Sequence, residues 1–70
     1  MENDDQHLGQ ADRHIAAAER RITEQEVRLR RMEAAGEDIS EAQRLLDSLR
    51  ATLAEMHVHR RIIIDELAKK

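Results

Sequence analysis

Seventy residues with a formal charge of -3 leave room for one small domain. Phe, Tyr, Trp, Pro and Cys are absent, Gly occurs twice, and 39% of the residues are Asp, Glu, Lys or Arg. Those absences exclude disulfides, thiolate metal sites and the aromatic platforms on which single-stranded nucleic acids or flat cofactors stack. A chain with no Pro, rich in Ala, Glu, Arg and Leu, has the composition of long helices.

From Leu8 the apolar residues repeat at heptad a and d spacing: Leu8, Ala11, Ile15, Ala18, Ile22, Gln25, Leu29 and Met32. Only Gln25 is polar, so the spacing predicts one amphipathic helix over roughly residues 4–35. The pattern stops at Ala34-Ala35-Gly36-Glu37-Asp38. Gly36 suits a left-handed helix end, and Asp38 with Glu41 has capping-box spacing; Ser40 with Gln43 is a competing start that would leave Ile39 outside the helix. A turn over 36–38 is therefore expected.

The second stripe is Ile39, Ala42, Leu46, Leu49, Leu53, Met56, Arg60, Ile63 and Leu67, with Arg60 its one polar member. It predicts a second helix over about 39–68. A short connection makes the two helices antiparallel neighbours. The rival arrangement runs one helix straight through Gly36 into a long two-stranded coiled coil, at a cost of about 1 kcal/mol for the glycine. Residues 1–6 and 69–70 are expected to fray.

Flanking charges agree with the hairpin. Its e rows face each other, which brings Glu26 near Arg50, Glu19 near His57 and Glu33 near Gln43. Surface pairs of this kind are worth about 0.2–1 kcal/mol, so they select register more than they stabilise. On the other flank Arg28, Arg21, His14 and His7 face Leu45, Thr52, His59 and Glu66.

Seventeen Val, Ile, Leu and Met side chains after Met1 make a seam too wide for two helices to cover, with Leu45, Ile62 and Ile64 beyond the stripe. The expected architecture is all-α: an antiparallel two-helix hairpin that dimerises into a four-helix bundle. Its core and dimer residues are Leu8, Ile15, Ile22, Leu29, Met32, Ile39, Leu45, Leu46, Leu49, Leu53, Met56, Ile63 and Leu67. Gln25 and Arg60 are polar register devices within the seam.

Candidates for chemistry are few. His57 and His59 point about 200° apart on their helix, and His7 and His14 are two turns apart, so neither pair chelates one ion. A mixed site of His14, Glu55 and His59 across the hairpin is conceivable, but the Glu-x-x-His signature of di-iron bundles is missing. Ser40 and Ser48 have no His within reach, and a nucleophile with its base cannot be assembled. No catalytic residue, metal or cofactor is expected.

Arg outnumbers Lys ten to two. Arg20, Arg28 and Arg31 make part of helix 1 locally basic, which permits Rop-like recognition of RNA by a dimer of hairpins, an analogy of fold alone. The longest aliphatic run, Ile62-Ile63-Ile64, is far short of the roughly 20 residues of a membrane span. The acidic opening Met1-Glu2-Asn3-Asp4-Asp5 is unlike a signal peptide. Cytoplasmic location is expected.

The stretches ADRHIAAAERRI (11–22) and AAGEDISEAQRLL (34–46) resemble short helical-hairpin proteins of unknown function from alphaproteobacteria. The resemblance runs from about residue 11 to 67 and is carried chiefly by the turn Gly36-Glu37-Asp38 with Ser40-Glu41-Ala42. It implies a hairpin and a bacterial cytoplasmic setting, and no activity. The expected role is a non-catalytic, homodimeric module that binds another protein.

Overall fold

The computed structural model describes residues 2–69, with side chains from Gln6 to Lys69. Two α-helices, α1 (Glu2–Ala34) and α2 (Ser40–Ala68), lie antiparallel against each other. The rival continuous rod is excluded, because the chain reverses at Gly36. Met1 and Lys70, two of the residues expected to fray, lie outside the described residues; the helical backbone already begins at Glu2, ahead of the expected start at residue 4.

Gly36 reverses the chain with φ +73°. The N–H of Glu37 donates to the carbonyl of Met32 at 2.9 Å, and the N–H of Gly36 donates to Glu33 at 3.0 Å. This is the paired 6→1 and 5→2 pattern of a Schellman end, which satisfies carbonyls that the helix would otherwise leave open. Space is not what selects glycine, since an added Cβ would meet nothing within 4 Å. Backbone conformation is. Gly36→Ala is therefore expected to cost about 1–2 kcal/mol through left-handed strain alone, read as a lower denaturant midpoint with unchanged helicity.

α2 starts at Ser40, one residue later than the expected boundary at 39. Ile39 has φ -98° and ψ 5°, outside the helical basin, yet its carbonyl already accepts from the N–H of Gln43 at 2.7 Å. The Asp38 carboxylate does the capping, accepting from the N–H of Ser40 at 2.9 Å and from its hydroxyl at 2.6 Å. Glu41 makes no return hydrogen bond among the described residues, so the end is a one-sided aspartate cap rather than a reciprocal box. The Ser40 hydroxyl first, and its N–H second, hold the Asp38 carboxyl below the usual carboxylate value of 3.8. Because the folded value is depressed, this cap contributes fully at neutral pH and is lost only as pH falls through the folded value.

Every a and d residue from Leu8 to Leu67 is buried or half-buried. The tightest cluster is Ile22, Leu29, Ala42 and Leu46, with Met32, Ile39, Leu49 and Leu53 packed against it. It sits towards the turn, where both helices are fixed to each other by the short connection. The hairpin measures 55 × 15 × 12 Å, and no large side chain among the described residues is wholly sealed from water. Leu45, expected among the core and dimer residues, is 45% exposed in the single chain. It is a g residue, beyond the width that α1 can cover.

Candidate functional site

Among the described residues the seam between the helices carries one buried polar side chain. Gln25 is 8% exposed, and its Nε2 donates to the backbone carbonyl of Ala42 at 3.0 Å. A d-position amide on α1 thus reaches the first turns of α2, and without that carbonyl it would be buried unpaired. Such a loss costs about 1–3 kcal/mol. Gln25 therefore ties the two helices together across the seam.

Two ion pairs strap one flank. Arg50 Nη2 donates to Glu26 Oε2 at 2.9 Å, as the facing e rows require. Arg60 Nε donates to Asp12 Oδ1 at 2.5 Å. Asp12 was the overlooked partner, although the sequence carried a signal for it: Asp12 faces an apolar Ile64, and the unpaired Arg60 stands about one turn away. With side chains between 35% and 52% exposed, neither pair is worth more than about 1 kcal/mol.

The other expected contacts differ. Gln43 donates along its own helix to Asp47 Oδ1 at 3.0 Å instead of reaching Glu33. Among the described residues neither a hydrogen bond nor an ion pair joins Glu19 to His57.

Among the described residues no ion pair straps the opposite flank. There a cleft of about 210 Å³ is lined by Ala11 and His14 of α1 and by Thr52, Glu55, Met56 and His59 of α2. Nearer the turn, Gln25 and Arg28 border a wider groove with Leu45 and Arg44 on its other side. His14, Glu55 and His59 do share a wall, but among the described residues no group of three His, Cys, Asp or Glu is close enough to hold a metal ion.

The arginines expected on an RNA-binding face are spread out. Arg20, Arg28 and Arg31 are all exposed and fall within a sector of about 80° around α1, with Arg20 and Arg31 some 16 Å apart along the axis. Glu24 lies inside the same sector. The exposed Val58, 57% accessible, and the half-buried Val27 occupy the outer faces. No helix among the described residues is long and apolar enough to cross a membrane.

No family model matches the chain, and neither a curated protein nor a solved structure is significantly similar to it.

Gln25 allows a sharp test of the register role. Gln25→Leu removes a buried amide while leaving the Ala42 carbonyl free to serve α2's own ladder. The expected result is a melting temperature equal to or above that of the parent, together with extra oligomeric species in sedimentation velocity, because the apolar seam no longer distinguishes its alignments. A single unchanged species would remove the register role.

Proposed function

We propose that this hairpin is a non-catalytic interaction module that works as a homodimer, two hairpins forming a four-helix bundle whose outer faces bind another protein in a bacterial cytoplasm. One observation carries the dimer. The chain exposes 5487 Å², whereas a compact monomer of 8.1 kDa is expected to expose about 4,500 Å². The surplus of roughly 1,000 Å² is close to the 800 Å² or so that each partner contributes to a standard interface. Leu45 and Ile62 supply apolar area for it, at 45% and 52% exposure.

Sedimentation equilibrium at micromolar concentration tests this reading. A folded species of about 16 kDa is the expected result, twice the chain mass of 8.1 kDa. A folded 8 kDa species defeats it. The competing reading, Rop-like RNA recognition through Arg20, Arg28 and Arg31, predicts a complex with bulk bacterial RNA that weakens steeply as salt is raised. Absence of any complex at low salt eliminates that competitor and leaves protein binding, to be identified by affinity capture from the native host.

A further inference from the structure

α2 carries a second heptad seam. Beside the stripe that faces α1, the residues Leu45, Leu49, Thr52, Met56, His59 and Ile63 follow one another at alternating spacings of four and three. That is the a/d rhythm of a coiled coil, rotated about 50° from the first stripe. Leu49, Met56 and Ile63 belong to both seams, and Leu45, Thr52 and His59 stand exposed beside them. α1 has no equivalent, since its corresponding row contains His14, Arg21, Gln25 and Arg28.

The cleft on this flank has the same grammar. Thr52, Glu55, Met56 and His59 line it from α2. They are spaced i, i+3, i+4 and i+7, the four residues that make the hole for a side chain of a facing helix. The other flank is already occupied. Its comparable row reads Leu46, Arg50, Leu53, His57, Arg60 and Ile64, and both arginines are tied to α1 carboxylates.

Resting on the homodimer proposed above, we infer that two copies join through this second seam, α2 antiparallel to α2, about a twofold axis level with Ala54. Residue 54 is the midpoint of α2 (Ser40–Ala68) and also of the seam from Leu45 to Ile63. One placement therefore overlaps the two helices fully and aligns the seam with itself. Leu45 of one copy meets Ile63 of the other, Leu49 meets His59, and Thr52 meets Met56. A shift by one heptad keeps the rhythm but leaves part of each helix uncovered. The ion-paired flank stays in water. The arrangement also brings Glu55 beside its own counterpart near the axis, a like-charge contact, so Glu55→Gln is expected to tighten the dimer several-fold, and no tightening would overturn this register.

The chain contains no Cys, so single-cysteine variants of the full protein give a clean test. Thr52→Cys lies on the seam close to the axis. Glu41→Cys lies on the same side, but its two copies would be about 40 Å apart along the antiparallel helices. Ala54→Cys lies on the far side of α2, about 180° from the seam. At low micromolar concentration a short bis-maleimide should convert Thr52→Cys to a covalent dimer and leave the other two monomeric.

Joining of Thr52→Cys and Glu41→Cys alike would make the helices parallel and overturn the inference. Joining of Ala54→Cys alone would move the interface to the other face and do the same. No joining at any site, with a 16 kDa sedimenting mass, overturns this interface while the homodimer stands. The same result with an 8 kDa mass overturns both.

Discussion

Replacing Leu46 with alanine is expected to remove about 2–5 kcal/mol of stability, a large share of the roughly 4–10 kcal/mol that a 70-residue chain holds in total. Leu46 is the most enclosed side chain, 4% exposed, within the cluster of Ile22, Leu29 and Ala42. Truncation loses its transfer free energy and opens a void that helices fixed by a Schellman turn cannot close. Its neighbour supplies the control. Leu45 is the same residue type, one position away and 45% exposed, so Leu45→Ala should cost the hairpin under about 1 kcal/mol. Denaturant midpoints of the two variants, taken at a concentration where sedimentation shows single chains, decide the matter. Equal losses would mean that the cluster near the turn is not the centre of stability.

Leu49→Asp is expected to abolish the fold. Leu49 is half-buried, packs against the core cluster and belongs to both apolar rows of α2. A carboxylate there must either lose its hydration or pull the two helices apart, a penalty of several kcal/mol. Helices of this length draw most of their stability from packing of the apolar face. Circular dichroism at neutral pH should therefore show loss of helix, not a mere shift in mass. The introduced carboxyl would have its folded pKa raised by burial, so stability should return in part as pH falls towards that value. Glu24→Gln and Arg30→Gln, both at exposed positions, should change stability by no more than about 0.5 kcal/mol. Full helicity in Leu49→Asp at neutral pH would show that the helices do not depend on their shared seam.

Much of the hairpin was legible because its determinants are local. The 3.5-residue rhythm from Leu8 to Met32 and from Ile39 to Leu67 fixes which face each helix buries, and those residues are the buried and half-buried ones. Gly36 could be read as a left-handed helix end because a Cβ is penalised there regardless of surroundings. The Glu26–Arg50 pair followed from the same heptad count once the turn was placed. Boundaries were less legible. Whether Ile39 or Ser40 opens α2 depends on the Asp38 carboxylate choosing the Ser40 hydroxyl and N–H together, a choice between local hydrogen bonds of similar strength.

Composition and periodicity by themselves determined that this chain is helical, that its pattern breaks at Gly36, and which stripe each helix turns inward, since propensity and side-chain spacing act within a few residues. Tertiary structure alone decided what depends on relative height and rotation of the helices. It set Gln25 on the Ala42 carbonyl, Arg60 on Asp12, and Leu45 beyond the cover that α1 provides. Those outcomes turn on differences of a single helical turn between α1 and α2, a distance that side-chain reach can bridge in more than one way and that only the packed seam resolves.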